Sequence, residues 1–443
     1  RVLFKVLIHG YLCGIYSSRK LEEACQYRID FRWLLEDRKA PDHSTLARFR
    51  TGRCREAVED LFYQFVRKLE EAGETNHKAV FIDGTKLESR AGRYTFVWRK
   101  SVEKQLTKVK ERLKLLTRLT TSAAVRSLLE EAAKGIEFVS GKGKRKSQAQ
   151  RDWEEKQSLL ERWERYEAML STMGEGRGSY SKTDPDATFM RLKEDHMRNG
   201  QLKPAYNVQI AVNSEYLTGL EVFSDRTDVK TLRPMLNMLS RRHQARYEEV
   251  VADAGYESLE NYLYLEQNGQ LCFIKPTNYD QKKTKKFRKQ VGRIENMKYA
   301  PEEDSFTCAQ GRKLHLRREA TEVRDGQLVS TAWYRCENCS GCPHRAQCCR
   351  AKAPDKPKEI ILKKTFWEKR EQATRNIMTE RGIQLRLCRS IQVEGTFGLL
   401  KNDFGFRRFL TWGKANIRTE LFLLALAFDL KKLWMKREQG RLQ

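Results

Sequence analysis

The chain has no long hydrophobic run: its longest apolar stretch, Leu421 to Phe428, is eight residues, against the roughly 20 needed to span a bilayer. No secretory signal opens it. It begins with Arg1 rather than Met, which sets the expectation that the extreme N-terminus is missing. No G-x-S-x-G, H-E-x-x-H or P-loop occurs; Gly141-Lys142-Gly143-Lys144 lacks the P-loop spacing. A serine-hydrolase elbow, a zincin helix and ATP binding by a P-loop are therefore not implied. Negative charge is also short. Asp plus Glu number 59 against 86 Lys plus Arg, a formal charge of +27 over 443 residues. Such an excess usually meets a polyanion. DNA, RNA and anionic membrane surfaces all fit the sign, the membrane least well. The length allows two or three domains.

Eleven cysteines are present. Cys13, Cys25, Cys54, Cys272 and Cys388 are scattered singly and read as ordinary buried thiols. The other six, Cys308, Cys336, Cys339, Cys342, Cys348 and Cys349, fall within one segment. That clustering in an intracellular protein points to metal rather than disulfides. Four thiolates suit a structural Zn²⁺, with Cys336, Cys339, Cys342 and Cys348 the first choice and Cys308 and His344 as further candidates. Reduced thiols in a degenerate insert are the other reading.

Periodicity divides the chain. Residues 1–75 read as a helical domain, with apolar positions three and four apart at Val2, Leu3, Val6, Leu7 and Tyr11 and again at Val58, Leu61, Phe62, Phe65 and Leu69. A turn at Pro41 to Thr45 precedes a short basic helix that Ser44 is placed to cap. DNA binding and plain packing both fit this head. Residues 76–100 and 171–275 alternate strands and helices. Strands are expected at Ala79–Thr85, Tyr206–Val212, Gly219–Phe223, Glu249–Asp253 and Leu271–Ile274, and helices at 231–241 and 259–267. Residues 101–170 carry a heptad seam, Val102, Leu106, Val109, Leu113 and Leu116, matched later by Leu159, Trp163, Tyr166 and Leu170. They read as an inserted helical hairpin around the basic link Gly141–Ser147, serving as a packed arm or as a dimer or DNA contact. Residues 276–365 form a basic, Cys-rich insertion poor in periodic runs. Residues 366–443 return to helix, ending in an apolar helix at Leu421–Leu433 expected to pack on the sheet. The fold class is thus α/β, a mixed sheet core with helical additions.

Isolated carboxylates are usually surface charges, but Asp83 and Asp253 each close an apolar strand, where an uncompensated charge is costly. A divalent cation between two such groups resolves their repulsion. Caps or turn formers are the alternative role. A third ligand is sought in the C-terminal region, where Glu394 and Lys401 lie seven apart and share a helical face. Arg407 and Arg408 just beyond add charge for a DNA backbone. Read blandly, Glu394 and Lys401 are polar residues of an amphipathic helix.

Four segments carry a resemblance: Phe81-Ile82-Asp83-Gly84-Thr85-Lys86, Tyr94-Thr95-Phe96-Val97-Trp98, Val251-Ala252-Asp253-Ala254-Gly255-Tyr256 and Ile391-Gln392-Val393-Glu394-Gly395-Thr396-Phe397-Gly398. In this order and spacing they resemble bacterial insertion-sequence transposases of the DDE class, in the subgroup with a cysteine-rich insert before the final Glu. The likeness spans essentially the whole chain. It implies a ribonuclease H-like core and a catalytic triad of Asp83, Asp253 and Glu394. The triad would hold two Mg²⁺ or Mn²⁺ ions, Asp83 bridging them while Asp253 and Glu394 each favour one. Lys401 matches a lysine that contacts DNA near the cut in related families. Those relatives place Tyr and Arg seven and four residues before the Glu, where this chain has Leu387 and Ser390; Arg389, five before, is the candidate substitute. The implied partners are double-stranded DNA (terminal inverted repeats and target) and a second copy of the chain in the DNA complex. The implied location is the bacterial cytoplasm, with the nucleoid. A metal-dependent nuclease of the same fold and a non-catalytic DNA-binding protein are the alternatives.

Overall fold

The computed structural model describes residues 1–141, 145–192, 200–349, 353 and 356–442. Residues 142–144 of the basic link lie outside them. The N-terminal unit is five helices: α1 (Val2–Leu12), α2 (Ser18–Tyr27), α3 (Ile29–Leu34), α4 (His43–Thr51) and α5 (Arg53–Glu71). Val58, Phe62, Val66 and Leu69 bury one stripe of α5. The cap of α4 is Asp42, whose carboxylate accepts the Thr45 N–H at 2.6 Å, not Ser44, which sits inside the first turn. An Asp three residues before that N–H reaches it directly.

The central sheet follows. β1 (Ala79–Glu88) leads to β2 (Phe96–Trp98) and then to the arm, α6 (Arg99–Thr117), α7 (Ser122–Ala133) and α8 (Gln148–Met173). The expected hairpin is therefore a three-helix unit. Leu106, Val109 and Leu113 of α6 share a core with Leu160 and Trp163 of α8, and α7 adds Val125 and Leu129. Two apolar positions four apart are too short a pattern to register as a heptad, which hid α7. The chain returns through β3 (Ser179–Ser181), β4 (Thr188–Arg191), β5 (Leu202–Asn213), β6 (Tyr216–Phe223), α9 (Leu232–His243), β7 (Glu249–Ala252), α10 (Leu259–Gln267) and β8 (Leu271–Ile274). Strand order is β6-β5-β1-β7-β8, with β4 also on β5. β5 runs antiparallel to β1 with Asp83 opposite Ile210, while β7 runs parallel with Ile82 opposite Ala252. β6 pairs β5 antiparallel and β8 pairs β7 parallel. This is the ribonuclease H-like mixed sheet. Its middle strands are buried on both faces, as their continuous apolar runs require.

The 276–365 segment folds as more than loop. After the short α11 (Lys285–Arg288) come β9 (Lys298–Ala300), β10 (Ser305–Thr307), β11 (Lys313–Arg324) and β12 (Gln327–Cys336), then α12 (Arg345–Cys348) and β13 (Glu359–Leu362). The strands form an antiparallel sheet in the order β13-β12-β11-β10-β9. Most of β11 is exposed, so charges stand on both of its faces and no alternating apolar pattern announces it. The chain closes with α13 (Lys364–Met378), α14 (Glu380–Arg389), α15 (Gly395–Gly398) and α16 (Lys414–Glu438). Leu421–Asp429 of α16 are buried between α1, α5 and β6. Among the described residues no helix is long and apolar enough to cross a membrane. Of the single cysteines, Cys25 and Cys54 are buried and Cys13 is exposed, against expectation. It follows the last turn of α1, whose apolar stripe has already turned inward.

Candidate active site

Asp83 does not end its strand. β1 continues to Glu88 against β5, while β7 stops at Ala252. Asp83 therefore sits where β1 outruns its parallel neighbour, and Asp253 is the first residue past that neighbour. Adjacent strands lie about 4.8 Å apart, so the register sets these two residues side by side. Asp83 is 8% exposed. Its Oδ1 accepts the Gly84 N–H at 2.7 Å. Asp253 Oδ1 accepts the Gly255 N–H at 2.8 Å and so caps the short 3₁₀ turn Ala254–Tyr256.

Glu394 arrives from far along the chain. Helix α14 runs into a π-turn at Ser390–Glu394, then α15, then a second π-turn at Leu399–Asp403. π-turns are frequent at functional sites because they redirect side chains without ending a helix. Arg389, the last residue of α14, spans the gap. Its Nη1 donates to Asp83 Oδ2 and its Nη2 to Glu394 Oε1, each at 3.0 Å. Ser390 Oγ donates to Glu394 Oε2 at 2.9 Å. Arg389 is thus tied between two carboxylates instead of being presented to solvent.

A further carboxylate joins them that sequence reasoning missed. Asp228, in the loop between β6 and α9, accepts Asn207 Nδ2 at 2.7 Å and Gln209 Nε2 at 2.9 Å through Oδ1. Gln209 Oε1 in turn accepts the Tyr256 hydroxyl. Two glycines make room. A Cβ on Gly84 would lie 2.0 Å from Gln209 Nε2 and 3.0 Å from Asp228 Oδ1, and one on Gly255 3.0 Å from Asp253 Oδ1 and 3.5 Å from Asp228 Oδ2. Burial first, then the charges of Asp228, Asp83 and Asp253, push the Tyr256 phenol well above its ordinary value. All three carboxylates therefore reach the same small volume. The available signal was Asn207 and Gln209, two fully buried amides two apart in the otherwise apolar run from Ala205 to Val212.

The remaining basic residues are placed differently. Because π-turns flank α15, the two-turn spacing assumed for Glu394 and Lys401 does not hold; Lys401 lines an apolar pocket with Thr85, Phe397 and Leu400. Arg407 donates to the Lys401 carbonyl at 3.2 Å and to Asn402 Oδ1 at 3.0 Å. Arg408 donates to the Ser89 carbonyl at 3.2 Å, bracing the end of β1.

The donor set is all oxygen, which suits hard divalent cations. The Arg389 guanidinium lies where positive charge is needed, between Asp83 and Glu394. These residues fit a metal. In the insertion, Cys336, Cys339, Cys342, Cys348, Cys308 and Cys349 line one cavity of about 20 Å³ with Arg312, Arg345 and Lys358, room for roughly one water-sized particle. His344 does not line it. Cys339 Sγ accepts the Lys358 N–H at 3.3 Å. Burial, and then Cys339 alongside, push the Cys336 thiol up to about 12.

Two family models match the chain. One, a "Transposase DDE domain", covers residues 307–434. The other, a transposase domain, covers residues 1–52. The first takes in β11, β12 and β13 of the insertion, Arg389, Glu394 and most of α16; the second takes in α1 to α4. Neither a curated protein nor a solved structure matches.

Proposed function

Because a transposase DDE domain matches residues 307–434 and a transposase domain matches residues 1–52, we propose that the chain is an insertion-sequence DDE transposase that cuts at terminal inverted repeats and joins the freed 3′-hydroxyl ends to target DNA. Asp83, Asp253 and Glu394 would hold two Mg²⁺ or Mn²⁺ ions. Bound there, the ions would activate the attacking oxygen and stabilise the leaving one in each in-line displacement. The protein's own part is positional. Asn207 and Gln209 fix Asp228 beside the pair Asp83 and Asp253, adding negative charge that strengthens cation binding. Arg389 balances the charges of Asp83 and Glu394, and its planar guanidinium is suited to pair with a phosphate in bidentate fashion. Lys401, Arg407 and Arg408 track the DNA backbone, which positions the duplex without reading its sequence.

The single observation carrying this reading is the Arg389 bridge. It joins Asp83 to a glutamate more than three hundred residues away, next to the strand that delivers Asp253 just past its end. Around that centre we assign residues 1–75 to DNA binding, a homodimer to the DNA complex, and a structural Zn²⁺ to Cys336, Cys339, Cys342 and Cys348, with Cys308 facing the same cavity. The test is incubation of purified chain with paired terminal-repeat DNA, a target plasmid and Mg²⁺. Joined products support strand transfer. Cut but unjoined DNA would make the chain a nuclease of this fold. Equal activity in Asp83→Ala and Glu394→Ala would remove catalysis from this site altogether.

A further inference from the structure

A different set of metal-ligating side chains meets at the other end of β7. Glu70 lies in the last turn of α5, His77 two residues before β1, and His243 ends α9. One ligand atom from each lies within 4.8 Å of the others. The link holding His77 is fixed to the foot of the sheet, since its carbonyl accepts the Glu248 N–H at 3.0 Å and the Lys78 carbonyl accepts that of Glu249 at 2.8 Å.

Two observations beyond proximity point to a ligand. First, both ring nitrogens of His77 are buried and neither has a hydrogen-bond partner, although Nε2 lies 3.3 Å from Glu70 Oε1. Buried nitrogens without partners are costly, and a cation would take the lone pair of one of them. Second, His243 Nε2 faces the Thr218 carbonyl at 2.9 Å. A carbonyl only accepts, so Nε2 carries the proton and Nδ1 keeps the lone pair. Metal-ligating histidines are held in just this way by an outer carbonyl. Burial lowers the His243 imidazole to about 4, with His77 and Arg67 adding to the effect, so the ring is neutral near pH 7. Tyr63 and Tyr247 wall the site, with ring centroids 5.8 and 6.1 Å from that of His243. The Glu70 side chain, 40% exposed, gives access from solvent.

We propose that Glu70, His77 and His243 bind one divalent ion of the zinc class, fastening the last helix of the N-terminal unit to the foot of the central sheet. Two imidazoles and one carboxylate suit Zn²⁺, Co²⁺ or Ni²⁺ and not Mg²⁺. Three protein ligands leave a fourth position for water. The site does not depend on the transposase reading, because none of its residues belongs to the carboxylate cluster.

The experiment uses the full chain, freed of metal by chelation and titrated with Co²⁺ and then Zn²⁺ alone. The expected result, in a Cys339→Ser, Cys342→Ser background that removes the thiolate site, is a cobalt visible band without sulfur charge transfer. It disappears in His77→Gln and weakens in Glu70→Gln by roughly tenfold or more, the scale seen when even an outer partner of a metal ligand is lost. Glu70→Gln alters an accessible helix position, so circular dichroism should find it folded. In that same cysteine-substituted background Zn²⁺ should raise the melting temperature, and adding His77→Gln should abolish the rise. A band that always carries sulfur charge transfer, or one unchanged in folded Glu70→Gln and His77→Gln, would overturn the proposal.

Discussion

The two ends of β7 differ in the chemistry they gather. Past its C-terminal end, Asp83, Asp253, Asp228 and Glu394 offer oxygen only, with Arg389 set between two of them. Before its N-terminal end, His77 and His243 offer nitrogen and Glu70 a single carboxylate. The difference follows from what each end packs against. At the first, β1 outruns β7 and leaves an open edge where charged groups keep some access to solvent. At the second, α5 and α9 close over the sheet beside two tyrosines, a setting that tolerates a neutral imidazole better than a carboxylate. One sheet can thus present a hard site and a borderline site on a single strand, and ligand type rather than position decides which ion each accepts.

The most forceful way to break this contrast is to remove an oxygen ligand. Asp83→Ala or Asp253→Ala should lower DNA cleavage by at least about 10³-fold, since the ions they hold contribute several kcal/mol to the transition state. Filter binding should show DNA affinity retained. His77 stands at the opposite end of the strand and touches none of these carboxylates, so His77→Gln should leave cleavage within about twofold, and a loss equal to that of Asp83→Ala would merge the two ends into one functional unit. Asp228→Asn is the next largest. With Asn207 and Gln209 still in place, cleavage should fall roughly 10- to 100-fold, the scale of an outer partner of a metal ligand. The concentration of Mg²⁺ needed for half-maximal rate should rise with it; a drop in rate with unchanged Mg²⁺ dependence would mean that Asp228 only props the loop.

At the imidazole end the sharper probe is acid. The His243 imidazole is lowered from 6.5 to about 4 by burial, so the folded state holds fewer protons than the unfolded chain between those values. Its contribution to stability is whole above pH 6.5 and is lost as pH falls toward 4. In metal-free protein the loss should approach about 3 kcal/mol, read from urea unfolding at a series of pH values. His243→Gln should flatten that part of the profile. An unchanged slope would place the acid sensitivity elsewhere.

What could be read from residues alone divides along the same physical line. The starts of β1 and β7, at Ala79 and Glu249, were legible because a central strand buried on both faces must be continuously apolar; the end of β1 was not, since the strand runs past Asp83 to Glu88. Helix α9 was legible from Leu232, Met235, Leu236 and Leu239, which bury one stripe. Asp228 was not, because a loop aspartate has no pattern and only the amides of the facing strand mark its place. Nor were the π-turns around Glu394, since one extra residue per turn leaves no signature in residue type. The five-stranded sheet of the insertion was hidden by charges on both faces of β11. The histidine cluster was invisible for a further reason: its members come from a helix end, a link and another helix end, brought together only by the sheet.

The smallest expected effect concerns where DNA lies. Arg407 stands near the oxygen end, and its two hydrogen bonds, to the Lys401 carbonyl and to Asn402, leave the guanidinium able to face a phosphate. Arg67 sits on α5 close to His243 and Glu70, at the other end. A phosphate contact contributes about one released counterion, so its loss reduces the slope of log affinity against log salt by about one and weakens binding evenly across sequences. Arg407→Ala should show that change in a titration of terminal-repeat DNA between low and moderate salt. Arg67→Ala removes the same charge from the far end of α5, away from the basic helix α4 of the head, and should not. Equal changes in both variants would mean that DNA senses only net charge, and the polarity drawn here between the two ends of β7 would lose its functional meaning.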